Sequence, residues 1–414
     1  MKEKNFWLYT TGMFISFVGS GIQGIALPLF ILDVTGSGTA MGTFMIISTV
    51  PSLILYPLAG VFGDRVNRKS IMVSMDFGRG AVILLLAVLA ARNALTIPIL
   101  FTVQVVVSAM NALFTPATTA MLPDIVKEED LMRANSLVEA VSSFSYIVGP
   151  VLGGVIYALG GVKAAFLVNS ISFLGSGAAE LFIEYHQETK RLEKVKDIII
   201  DLKEGIAFIR ARRGLLILLL TGLAINFLLG PVFMVLIPYV MRVVMQFSSE
   251  QYGMLQTAFM GGVLIGNLII GGVLAKTKIE KLLTRGFIVQ MGVMFVFVAL
   301  IFPKSIEALG YASWILFSAV FCTFIFMGMS SAFVNTPINV GFQKLTPTEY
   351  RARVFSVSGV VIQGIVPIGY GIMGILLDVA PAHVIALAMV LLELVVVLLF
   401  ISKYVTDVSR ELER

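Results

Sequence analysis

Charged side chains are scarce inside the long apolar stretches of this chain, and those that occur sit where they could exchange protons or trade partners. Glu139 follows Arg133 by six residues, which puts a carboxylate roughly 9 Å along a helix beginning there. Asp33 and Asp124 stand near the ends of two other apolar stretches. Acids so placed can serve proton coupling, because burial disfavours an ionised carboxylate and an approaching base favours it; the alternative is a satisfied acid at the cytoplasmic mouth for Glu139 and simple interface acids for Asp33 and Asp124. Asp76 and Arg79 lie one turn apart, hence on one helix face. Counting from Lys69 they fall roughly 10 to 15 Å into an apolar segment, where an isolated charge is costly. They are expected to pair with each other or with a neighbouring helix, in a structural or gating role. Between two further apolar segments runs Gly60-Val61-Phe62-Gly63-Asp64-Arg65-Val66-Asn67-Arg68-Lys69, two glycines, one acid and three bases in a short turn. Charges so concentrated can simply fix the orientation of a hairpin, or Asp64 can accept from backbone N–H groups or sit against the positive end of another helix.

The elements that position these residues follow from composition. Of 414 residues, 58% are hydrophobic and only 13% charged, outside the range of soluble domains. Segments of about 20 apolar residues cross a bilayer, and reading from charge to charge gives twelve, the first near 6–32, the fifth and sixth near 133–159 and 163–185, the last near 382–402. With the N-terminus inside, cytoplasmic loops and termini hold 25 of the 30 Lys and Arg, which is the positive-inside pattern and predicts both termini cytoplasmic. The net charge of +5 is therefore a topology signal and no sign of nucleic acid. Met1 to Phe6 lacks a signal-peptide layout, so the first span is expected to remain. A single Cys322 excludes an internal disulfide, and His186 and His383 near loops form no cluster, so no metal or cofactor is expected.

Collinear echoes at an offset of about 210 to 221 residues point to a duplicated six-helix unit. Leu27-Pro28 matches Ile237-Pro238, Gly42 and Gly60 match Gly253 and Gly271, Thr115-Pro116 matches Thr336-Pro337, and Pro150 matches Pro367. The predicted organisation is a bundle over 1–185, a cytoplasmic linker over 186–213, a second bundle over 214–405 and a tail over 406–414. In the linker Leu192, Val195, Ile199, Leu202, Ile206 and Ile209 step by three and four, an amphipathic helix on the membrane face.

The Gly60 to Lys69 stretch resembles the loop 2–3 signature of the major facilitator superfamily, with Gly60, Asp64, Arg65, Arg68 and Lys69 on matching positions. Asn67 replaces a glycine there, which the residue's tolerance of positive φ would permit. Ser145-x-x-x-Gly149-Pro150-x-x-Gly153-Gly154 is similar to the antiporter signature of that superfamily, with Ser145 in place of its first glycine. Small residues allow tight packing and proline bends the helix. The end of the linker, Glu204 to Arg210, and Asp33-Val34-Thr35-Gly36-Ser37 also look like drug and macrolide exporters of this superfamily. The resemblance implies an all-α membrane protein of two pseudo-symmetric six-helix bundles, and no enzyme. It implies that Asp64 latches the N-terminal half to the start of helix 11, with Arg68 and Lys69 competing for it in the other state; Gly60, Gly63 and Arg65, and Asp76 and Arg79 as a structural or gating pair, are grouped with them as the candidate conformational switch. It places Glu139 on a helix bordering the central cavity, ahead of Asp124 and Asp33 as proton sites, and Glu180 and Glu393 on peripheral helices. Pathway-lining helices would present Gln23, Asn111, Asn226 and Asn335, with Gln256 and Gln363 nearby and Phe233 and Met234 as apolar surface for a bulky amphiphile. Partners expected on this basis are a small amphiphilic substrate, protons and membrane lipids, with the protein a monomer in a bacterial plasma membrane. Alternatives are a lipid or lysolipid flippase of the same fold and an intramembrane transferase; the latter lacks a metal or general-base cluster.

Overall fold

The computed structural model describes residues 3–186 and 195–405, apart from the side chains of residues 3, 57–65, 195–202, 348 and 352. Apolar runs too long for any strand become helices: α1 (Glu3–Thr35), α2 (Gly38–Arg65), α3 (Arg68–Ala91), α4 (Ile97–Ile125), α5 (Leu131–Leu181), the linker helix α6 (Val195–Ala211), α7 (Arg213–Pro231), α8 (Ser249–Gly272), α9 (Ile279–Leu300), α10 (Trp314–Leu345), α11 (Thr348–Val379) and α12 (Ala382–Leu399). Among the described residues, eleven helices are long and apolar enough to cross a membrane. One of these, α5, has 51 residues and breaks at Gly161, where φ is 63° and ψ is −164°. At about 1.5 Å per residue α5 is long enough for two crossings, so the described residues hold twelve spans. Only glycine takes such a backbone conformation without strain.

Local chemistry sets the helix ends. Gly36, with φ 59°, turns the chain from α1 to α2. Asn67 does not occupy the positive-φ conformation expected from its place in the loop signature. It sits at φ −55°, and its side chain accepts from the Ser70 amide to cap α3. Beyond Pro231, α7 continues through two π-helical turns, Val232–Leu236 and Val240–Val244, a widening that disturbs the hydrogen-bond ladder around Pro238.

Contacts divide the chain into two units. One contains Met1–Val34, Ile46–Glu193 and Ser249–Thr257; the other contains Thr35–Met45, Lys194–Ser248 and Ala258–Arg414. The division differs from a cut at the linker by two exchanged segments, the first turns of α2 and of α8, and glycine explains both. A Cβ built on Gly42 would lie 2.4 Å from the Tyr370 carbonyl oxygen, and one on Gly38 would lie 2.7 Å from the Gly374 carbonyl oxygen. The start of α2 thus lies backbone to backbone on α11. A Cβ on Gly253 would lie 2.4 Å from the Pro150 carbonyl oxygen, which seats the start of α8 on α5. In the second unit α6 packs on the first turns of α11, with Phe208 stacked on Tyr350 at 4.4 Å and Glu204 paired to Arg353 at 2.8 Å. Leu192, Val195, Ile199 and Leu202 of the amphipathic pattern lie outside the described side chains.

Candidate functional site

In the first unit, the charged residues of α3 meet a carboxylate from the end of α5. Asp76 is wholly buried and Arg79 almost so. Arg79 donates to Asp76 one turn earlier and to Asn111 Oδ1 of α4 at 2.7 Å. Its guanidinium lies between the rings of Phe114 and Phe173, 4.0 and 4.4 Å from their centroids, an arrangement that stabilises a desolvated cation. Asp76 also accepts from Ser16 of α1 at 3.0 Å. Glu180, equally buried, accepts from Ser176 at 3.0 Å. A Cβ built on Gly177, one turn before Glu180, would lie 3.4 Å from Asp76 Cβ, so helices α1, α3, α4 and α5 converge on one ionic cluster enclosed by protein.

The other acids have different surroundings. Asp124, at the end of α4, accepts from Arg68 at 2.9 Å and from Tyr185 at 2.7 Å. Burial and the bond to Asp124 push the Tyr185 hydroxyl up to about 12, so it remains a donor. Lys69 donates to the Leu181 carbonyl at 2.8 Å, capping the end of α5. Asp33 accepts from Tyr157 at 2.8 Å. Glu139 is exposed, with no hydrogen bond or ion pair among the described residues. Gly60, Gly63 and the side chains of Asp64 and Arg65 lie outside the described residues, and with them the latch assigned to Asp64.

The glycine-proline segment places α5 against two helices at once. A Cβ on Gly149 would come within 2.9 Å of Gly21 Cα, and one on Gly153 within 2.9 Å of the Ile22 carbonyl oxygen, both on α1. A Cβ on Gly154 would lie 2.4 Å from the Ser249 carbonyl oxygen, on α8. Pro150 interrupts the ladder between them, and Thr257 of α8 donates to the Ile147 carbonyl there at 2.8 Å. Ser145, buried, returns its hydroxyl to the Val141 carbonyl at 2.8 Å.

In the second unit a cavity of about 300 Å³ opens among α7, α10 and α11, at the small end of ligand pockets. Its polar lining is Asn226, Asn335, Asn339, Ser358 and Gln363, its apolar lining includes Phe342 and Phe355, and none of its lining residues is charged. Ser358 Oγ is buried with no partner among the described residues, an orphan hydroxyl that water or a ligand would satisfy. Phe233 lines a smaller adjoining void of about 40 Å³, which shares Asn335 with the larger one. Asn226, Asn335 and Gln363 thus come together. Gln23 instead accepts from Asn169, joining α1 to the second half of α5. Asn111 is committed to Arg79, Gln256 donates to Tyr252 at 3.3 Å, and Met234 is 48% exposed.

Sequence reasoning missed Asp378, Ser358 and Asn339. Asn339 was legible, one turn beyond Asn335 on the same face. Asp378, at the end of α11, accepts from Ser37 Oγ at 2.8 Å and from the amides of Gly38 and Thr39 at 2.6 and 3.0 Å. A carboxylate here meets the positive end of α2. Asp378→Asn is expected to weaken this end contact by about 1 kcal/mol, with amide exchange at Gly38 and Thr39 about fivefold faster; unchanged protection would show that glycine packing alone holds it.

Macrolide efflux protein A of Streptococcus pyogenes is 27% identical over 378 residues, 89% of each chain. Multidrug efflux pump Tap of Mycolicibacterium fortuitum is 26% identical over 403 residues, 93% of this chain and 92% of that one. Among solved structures, an inward-facing bacterial homologue of the iron transporter ferroportin superposes with TM-score 0.72 at 17% identity, covering 96% of this chain and 98% of that one. Nucleoside transporter NupG gives TM-score 0.73 at 13% identity over 96% and 99% of the two chains. At such identities these structures speak to fold alone. The sequence model of the Major Facilitator Superfamily matches residues 9–370, most of the chain, and the protein belongs to that superfamily of membrane transporters.

Proposed function

We propose that this transporter exports neutral or weakly charged amphiphilic compounds of macrolide type across a bacterial plasma membrane, in exchange for protons. The observation that carries the reading is the uncharged cavity of the second unit. Amides from three helices converge on a space with aromatic walls and an unsatisfied buried hydroxyl. Such a lining offers hydrogen bonds in several directions without demanding a charge, while Phe342 and Phe355 give apolar contact. That fits a ligand with many hydroxyl, ester and carbonyl groups on an apolar frame. The likeness to macrolide and multidrug efflux proteins supports the same choice. Transport follows alternating access, with proton and substrate favouring different states. The concentration of Lys and Arg in alternate loops supports cytoplasmic termini.

Asn335→Leu and Gln363→Leu each remove hydrogen-bonding capacity from the cavity while keeping its volume. Each is expected to weaken binding of radiolabelled erythromycin to the purified protein by about 1 kcal/mol, about fivefold in Kd. Cells producing either variant should accumulate more of the drug. Binding unchanged in both variants would remove the cavity from the substrate path. If wild-type protein in liposomes moved labelled lipid head groups and no soluble amphiphile, a flippase would replace an exporter.

A further inference from the structure

The ionic cluster of the first unit has an uncompensated charge. Asp76 and Glu180 are acids, Arg79 is a base, and all three are buried by protein rather than by its surroundings. Tyr9 of α1 donates its hydroxyl to the Thr118 carbonyl of α4 at 3.1 Å, and α4 offers the cluster the neutral amide of Asn111. Arg79 spends its hydrogen bonds on Asp76, Asn111 and the Met75 carbonyl. Glu180 receives Ser176 on one oxygen, and its second oxygen is buried with no hydrogen-bond partner among the described residues. Two ionised carboxylates and one guanidinium would leave one negative charge unbalanced in dry protein, a costly state. A single proton on Glu180 balances the cluster and gives its second oxygen a hydrogen to donate.

We propose that Glu180, held against the Asp76–Arg79 pair, is the binding site of a coupling proton. This deepens the proton-exchange reading above and rests on it. Loading adds a proton to the Glu180 carboxylate, leaving Arg79 with Asp76; release restores the carboxylate and obliges Arg79 to serve two acids. Since the three residues lie on α3 and the end of α5, and their partners on α1 and α4, a shift of Arg79 changes how four helices meet. That gives the proton a differential affinity for two states, the condition for coupling.

The duplicated half supplies a contrast. Glu393 follows Glu180 by 213 residues and Gln290 follows Asp76 by 214, within the offset of the internal repeat. Glu393 is wholly buried and accepts from Gln290 at 2.9 Å. Val293 stands 214 residues after Arg79, so this copy lacks an arginine to trade between acids. It is not expected to couple.

The test uses full-length protein in a Glu393→Gln background, which removes the second buried acid. Infrared spectra should show a carboxylic-acid carbonyl band that disappears in Glu180→Gln. It should disappear also in Asp76→Asn, where Arg79 is free to pair with Glu180 as a carboxylate. In liposomes, an imposed proton gradient should drive erythromycin movement in the background protein, and both variants should lose about tenfold or more of that stimulation while keeping downhill exchange. A purely structural role would lower both modes together. A band that survives Glu180→Gln, or stimulation retained in that variant, overturns the proposal. If no amphiphile moves even in the background protein, the export reading fails; the band and its loss in both variants still decide whether Glu180 holds the proton.

Discussion

Arg79→Met is expected to destabilise the first unit by about 3–5 kcal/mol, the usual cost of removing one partner from a buried ionic group. Methionine fills much of the arginine stem volume between Phe114 and Phe173, so loss of packing is small. What remains is Asp76 without its cation, an unpaired Asn111 oxygen, and Glu180 beside a second acid. A companion variant separates charge from shape. Asp76→Asn, Arg79→Met and Glu180→Gln together remove every charge from the cluster, and replacing a whole buried network is often neutral or stabilising. The triple variant is expected to recover most of the stability lost by Arg79→Met alone. Denaturant unfolding in detergent micelles checks both, with tryptophan fluorescence as readout. If the single substitution cost less than about 1 kcal/mol, the cluster would be hydrated in solution and its charges screened. Restored stability without gradient-driven transport in the triple variant would show that the cluster is retained for coupling and not for folding.

Hydropathy and charge made the spans legible, because crossing a bilayer as a helix imposes a length and an apolar composition on each segment independently. The break within α5 was placed between the fifth and sixth predicted spans, and Gly161 falls there. Asp76 and Arg79 could be read as neighbours because three residues of helix put them on one face. Their relation to Glu180 could not, since it depends on how α3 rotates against the end of α5. The same limit hid the two exchanged segments. Gly42 and Gly253 echo each other in sequence, but only the crossings of α2 with α11 and α8 with α5 reveal what each glycine touches. For the candidate substrate site, isolated amides on α7, α10 and α11 were visible as polar residues in apolar runs. Which of them share a space is a question of helix rotation, and Gln23 and Asn111 prove to be tied to partners in the first unit. Asn67 shows the opposite failure: a motif position was read for its backbone tolerance, whereas its side chain caps a helix.

Gly154→Ala is expected to disrupt the crossing of α5 and α8 by about 1–3 kcal/mol through overpacking. Its Cβ would sit 2.4 Å from the Ser249 carbonyl oxygen and 3.1 Å from Glu250 Cα, and both obstacles are backbone, which cannot rotate away as a side chain would. The helices must part, and the contact of Gly253 with Pro150 four residues along lengthens with them. Gly253→Ala should therefore cost about as much, while the double variant should cost less than the sum of the two, because helices already parted accept the second methyl more easily. Gly175→Ala on the same helix provides the control. No atom lies within 4 Å of where its Cβ would be, and alanine is the better helix former by about 1 kcal/mol, so that variant should be unharmed or slightly stabilised. Exchange of the amides at the start of α8 reports the local effect, and erythromycin binding reports whether the second unit's cavity remains intact. Faster exchange at 249–253 with unchanged binding, and slowed transport, is the expected combination. It would give the glycines of the antiporter-like signature a mechanical meaning: two backbones in direct contact, with Thr257 bonded to the Ile147 carbonyl beside the proline break, so that α8 can be gripped and released without side chains in the way. If the double variant were instead strictly additive and transport unaffected, the crossing would be a fixed joint, and the proline bend rather than the glycine contact would account for the signature.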